Sequence, residues 1–134
     1  MSKIILADLN GRGGYVNKDT VAGGYGSRFA GHSFTTRLEQ KVRHVLQNLP
    51  SIQLGYLAAI FADVGHEVVV TRDDHIPNGD LAIVLTSLVD YRHECEWADA
   101  ARSRGIRVGL VGTAATHLPE LFADHGDFVI SGEP

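Results

Sequence analysis

The chain is poor in cysteine and has no long apolar run, and each shortage removes a class of protein. Its single cysteine, Cys95, leaves no internal disulfide and no metal site built from cysteines alone. No apolar run is long enough to span a bilayer, and there is no signal peptide, so a cytoplasmic location is expected. Positive charge is also in deficit. Twelve basic against sixteen acidic residues give a formal charge of -4, which argues against nonspecific binding to nucleic acid or to an anionic membrane. Two nucleotide signatures are missing. After Gly11 and Gly13 no third glycine completes a dinucleotide fingerprint. In Gly26-Ser27-Arg28-Phe29-Ala30-Gly31-His32-Ser33 a histidine stands where a phosphate loop needs its lysine. His32 reads as a polar loop residue.

What is present is 134 residues, enough for one domain with a real core, at 44% hydrophobic and 21% charged. The chain is organised around its first stretch, in which Ile4 to Ala7 is followed by Asp8, Asn10, Gly11, Gly13 and Gly14. A short β-branched run bounded by glycines predicts a strand buried on both faces. Glycines after it let the backbone turn and approach a ligand, at the edge where open parallel sheets bind them. A plain strand-to-loop turn is the other reading of the same residues. Seven of the fifteen glycines lie between Gly11 and Gly31, in an aperiodic segment spanning 9–35. Tyr15, Tyr25, Arg28, Phe29, His32 and Phe34 make it unlike a solvated linker, and an ordered lid or ligand loop over residues 10–34 is expected. Tyr15, Tyr25, Phe29 and Phe34 are its expected anchors.

Thr36 and Glu39 form a capping box ahead of an amphipathic helix over 37–48, with Leu38, Val42, Val45, Leu46 and Leu49 in phase. After Pro50, Ser51 can cap a second helix, 52–64, with Leu54, Leu57, Ala58 and Phe61 on one face and Gly65 at its end. Strands follow at 67–71 and 80–86. The connection between them, 72–79, is too short for the usual crossover helix. Its Asp73, Asp74 and His75 read as a solvated turn, with a metal site as the alternative. Tyr91 to Arg104 is a helix with Cys95 as a small core residue; Val108–Val111 is a strand, Pro119 opens a short helix, and Phe128–Ile130 is the last strand. The alternation predicts an α/β fold: three layers, a five-stranded parallel sheet and flavodoxin-like strand order 2-1-3-4-5 with the first strand central. The chain stops four residues after Ile130, with no final helix over that end of the sheet, so it reads as a piece of a longer protein.

Several stretches resemble one family. Leu54-Gly55-Tyr56-Leu57-Ala58-Ala59, Ala62-Asp63-Val64-Gly65-His66-Glu67-Val68, Val111-Gly112-Thr113-Ala114-Ala115-Thr116-His117-Leu118-Pro119-Glu120 and Asp127-Phe128-Val129-Ile130-Ser131-Gly132-Glu133 carry the likeness. In order and spacing they are similar to the amino-terminal cobalamin-binding domain of radical S-adenosylmethionine enzymes, over residues 50–134. The resemblance implies a cobalamin-binding-domain-like fold. It also implies a corrin lying on the edge formed by Asp8, Asn10, Gly11, Gly13, Gly14, Thr86, Ser87, Leu88, Gly112, Thr113 and Ala114. The broader fold carries an axial histidine two residues after the aspartate; Asn10 stands there, so no protein histidine is expected on cobalt. Thr86-Ser87-Leu88 and Gly112-Thr113 are imperfect versions of the fold's other two elements. The iron–sulfur cluster and S-adenosylmethionine would belong to a following C-terminal catalytic domain, the implied partner, since three close cysteines are absent here.

Two other functions stay open. A signalling receiver would use Asp8 and Thr113, but Asp90 lies late and no lysine follows the last strand. A stand-alone α/β enzyme would use the glycine loop with His32 or His117, though no nucleophile–base pair is legible.

Overall fold

The computed structural model describes residues 1–12, 16–18, 24–28, 33–47 and 51–132. Gly13, Gly14, Tyr15, Phe29, His32, Leu49 and Pro50 lie outside the described residues. The apolar run Lys3–Ala7 is strand β1, and two-residue strands β2 (Val16–Asn17) and β3 (Ser27–Arg28) follow. Next come helices α1 (Phe34–Gln47) and α2 (Ile52–Asp63), then strands β4 (Glu67–Thr71) and β5 (Leu81–Leu85). Helix α3 (Tyr91–Ser103), strand β6 (Arg107–Val111), the short helix α4 (Thr113–His117), a 3-10 turn at Pro119–Leu121 and strand β7 (Phe128–Ile130) complete the order.

Five strands form one parallel sheet in the order β4-β1-β5-β6-β7, with β1 between β4 and β5 as expected. Counted along the chain this is 2-1-3-4-5, the flavodoxin-like order. Successive side chains of a strand point to opposite faces, and the core divides accordingly. Ile5, Ala7, Ala82 and Val84 pack with Trp97, Ala98 and Ala101 of α3 and with Ala114 and Ala115 of α4. Ile4, Leu6, Ile83 and Leu85 pack with Leu54 and Leu57 of α2. Both faces of the sheet are therefore covered, which is why β1 and β5 are continuous apolar runs.

The β4-to-β5 connection has no helix. Buried Ile76 joins the α3-side core in its place, and Arg104 donates to its carbonyl at 3.1 Å. Gly65, at φ 86°, ends α2 in the left-handed conformation that the sequence predicts for it.

One helix start and one cap differ from the reading above. Helix α1 begins at Phe34, and its cap is Ser33. The Ser33 hydroxyl accepts from the Thr36 amide at 3.3 Å while Thr36 Oγ1 accepts from the Ser33 amide at 3.0 Å. The reciprocal box therefore sits one turn earlier than Thr36–Glu39. Ser51 does stand at the N-cap of α2, but its side chain makes no capping hydrogen bond.

In β6, a Cβ on Gly109 would come within 2.5 Å of the Phe128 ring and 2.9 Å of Ile83 Cδ1. Gly109→Ala overpacks that contact and is expected to lower unfolding free energy by about 1–3 kcal/mol, read by urea denaturation.

Candidate functional site

Parallel strands deliver their carboxyl ends to one edge, and the polar residues that follow β1, β5 and β6 meet there. Asp8, Thr86 and Ser87 are all buried. Thr86 Oγ1 donates to the Val111 carbonyl at 2.9 Å and accepts from the Ala115 amide at 3.2 Å, tying the end of β5 to α4. Ser87 is bound to α3: its amide and hydroxyl each donate to the Glu94 carboxylate at 2.7 Å, and its oxygen accepts from the Asp90 amide at 3.1 Å.

Residues 16–18 and 24–28 of the aperiodic segment lie across this edge. β2 and β3 pair antiparallel, Val16 with Arg28 and Asn17 with Ser27, and both Val16 and Lys18 are buried. The Leu88 amide donates to the Tyr25 carbonyl at 2.7 Å. Tyr25 packs against the core and its ring lies 6.3 Å from that of His117. The approach depends on glycine. A Cβ on Gly11 would lie 2.5 Å from Arg28 Nη2 and 2.9 Å from Val16, and one on Gly26 would lie 2.8 Å from Ser87 Cβ. Gly26 also has φ 90°, a conformation L side chains rarely adopt. We refer to residues 16–18 and 24–28 as the strap. Of the expected anchors Tyr25 serves. Phe34 does not: as the first residue of α1 it is 84% exposed.

Charge holds the strap down. Lys18 Nζ donates to the Leu85 carbonyl at 3.0 Å, pairs with Glu94 Oε1 at 2.9 Å and stands 3.9 Å from Asp8 Oδ1. Arg72 reaches the other Asp8 oxygen at 3.3 Å. Two acids and two cations thus neutralise one another, with Lys18, Glu94 and Asp8 buried and Arg72 partly exposed, the condition under which buried charges are tolerated. A second cluster closes the strap's other side. Arg28 pairs with Asp90 at 2.9 Å, and buried His93 joins Asp90 at 2.8 Å to Asp74 on the β4–β5 connection. Cys95, on the same helix, packs in the core. Burial first, and then the nearby Glu94 charge, push its thiol up to about 12, so it stays protonated and unreactive at neutral pH.

The edge therefore brings together most of the residues that the sequence marks: Asp8, Gly11, Thr86, Ser87, Leu88, Gly112, Thr113 and Ala114. Asn10 is adjacent, its amide donating to the Arg72 carbonyl at 2.9 Å. Asp73, Asp74 and His75 divide: Asp73 accepts from the His75 amide at 3.0 Å, whereas Asp74 turns to His93. Among the described residues no three of His, Cys, Asp and Glu are grouped to hold a metal ion. Lys18 and Glu94 were not marked by sequence reasoning, because a lone lysine and a helical acid are read as solvated.

A corrin is a broad, flat ligand and needs this edge clear. The strap backbone stands on it, with Gly24 against Thr113 and Gly26 against Ser87. The Thr86, Ser87 and Glu94 side chains already bond to the protein. The described residues do not fit a corrin in this arrangement. The edge also lacks an acid at the end of β5, where Thr86 and Ser87 stand, so a receiver's phosphoryl acceptor is missing.

Fold and site together define an α/β protein with a flavodoxin-like parallel sheet whose carboxyl edge is covered by a segment of its own chain. The chain matches no protein-family model, no curated protein and no solved structure in the comparisons made. No helix among the described residues is long and apolar enough to cross a membrane.

Proposed function

We propose that this chain is a cobalamin-domain-type module of a radical S-adenosylmethionine protein in which the strap has taken the place of the corrin. Its role is then to present the covered edge as a fixed surface to a catalytic domain that carries the iron–sulfur cluster. The observation that carries this reading is the strap itself, seated on the ends of β1, β5 and β6 and pinned by buried Lys18. The strand order and the absence of a histidine at Asn10 agree with it. No residue of the chain is assigned a catalytic role.

The test is retention of cobalamin. The chain is mixed with hydroxocobalamin, desalted and read by visible absorption. The expected result is protein without corrin colour. Stoichiometric retention would overturn the replaced-cofactor reading in favour of a working cofactor domain. In that case no axial-nitrogen splitting is expected in the cobalt(II) resonance, since Asn10 occupies the histidine position. The partnership has its own test. A coding sequence that continues past Pro134 into three closely spaced cysteines supports it, and the absence of any such domain from the same protein and its neighbouring genes overturns it.

A further inference from the structure

Among the described residues, a large share of the exposed apolar side chains lies on two consecutive helices. On α1, Phe34, Leu38 and Val42 recur every four residues; on α2, Tyr56, Ile60 and Val64, its last residue serving as C-cap, do the same. Residues four apart share one face of a helix. All six are at least half exposed, from 50% at Val42 to 84% at Phe34. Helix α2 carries one charged residue, Asp63, and buries Leu54 and Leu57 against the sheet, so it is apolar on both its inner and outer sides. A helix apolar all round is one that is covered on all sides.

We propose that the cover is a second copy of this chain, with α1 of each protomer lying along the outer face of α2 of its partner. The two stripes share one spacing, with Ile52 a further exposed residue one turn before Tyr56 on α2, and each chain offers both, so a two-fold exchange covers all four at once. In antiparallel register the pairs are Val42 with Tyr56, Leu38 with Ile60 and Phe34 with Val64. At roughly 100 Å² a residue, the six expose on the order of 600 Å² per copy. That is near the ~800 Å² per partner of a stable interface and at the top of the range for a patch on a monomer. Four residues, 48–51, separate α1 from α2, and they include Pro50.

The test uses the whole chain. Light scattering after size exclusion is expected to give twice the chain mass, falling to one chain mass for Leu38→Asp. Far-UV circular dichroism should be retained in that variant, because Leu38 lies outside the core. Geometry is read by mixing Leu38→Cys and Ile60→Cys chains under mild oxidation; the mixed disulfide dimer is expected well above either self-linked species. The Leu38→Cys, Ile60→Cys double variant reads the alternative. An internally linked monomer means that α1 covers α2 of its own chain, which overturns the proposal. A monomer with no cross-link, or a dimer in which the mixed disulfide does not dominate, overturns it as well.

Discussion

Lys18→Met is expected to lower the unfolding free energy by about 3–5 kcal/mol, the range seen when one partner of a buried ion pair is removed. The substitution keeps most of the side-chain volume and deletes the charge. Glu94 then faces Asp8 across a buried edge without the cation that stood between them, and the Leu85 carbonyl loses its donor. The contrast is Arg12→Ala. Arg12 and Glu96 are closer, at 2.6 Å, yet their side chains are 61% and 59% exposed, and loss of that pair is expected to change stability by no more than about 1 kcal/mol. Burial, not distance, decides between them. Urea denaturation reads both. Combining Lys18→Met with Glu94→Gln is expected to recover part of the loss, because the amide removes the unpaired charge while its oxygen can still accept from Ser87. The strap reports separately. Leu88 donates its amide to Tyr25, so that amide is expected to exchange slowly in the parent chain and fast in Lys18→Met. An unchanged Leu88 exchange rate would show that the lysine does not hold the strap.

The sheet was legible because its signals are local. Ile4–Ala7, Val68–Val70 and Leu81–Leu85 announce buried strands by composition alone, and the handedness of crossovers then leaves few orders for them. The strap was legible only as an oddity. Glycine and aromatics in 9–35 point to an ordered segment, but what pins Lys18 is Glu94, far along the chain on a helix from which Cys95 was read as the core residue. An acid in a helix is normally solvated, and nothing near Glu94 in sequence says otherwise. Phe34 failed as an anchor for a related reason. Ser33 and Thr36 close the box a turn early, which places Phe34 on α1 and away from the edge. The periodicity of α1 was visible; the destination of its apolar stripe was not, since periodicity gives a face and no partner.

Phe122→Ala and Phe34→Ala make the same chemical change and are expected to do opposite things. Phe122 is 0% exposed, the largest fully buried side chain among the described residues, and meets Tyr91 edge-on with ring centroids 6.4 Å apart. It lies in the α3-side core with Cys95 and Trp97, just past the turn at Pro119–Leu121. Its truncation removes transfer free energy and leaves a cavity, so a loss of about 3–5 kcal/mol is expected in urea denaturation. Phe34 starts a helix outside the core, and its truncation is expected to shift the unfolding free energy of the isolated protomer by no more than about 0.5 kcal/mol. Its effect belongs to association: the dimer of Phe34→Ala should dissociate at higher protein concentration than the parent, while Phe122→Ala, at temperatures where it stays folded, should associate normally. The separation matters because unfolding of a dimer depends on protein concentration. Denaturation is therefore run across a dilution series, and a Phe34→Ala loss of several kcal/mol that persists at the lowest concentration would place α1 against its own sheet and remove the apolar stripe as a surface for another copy.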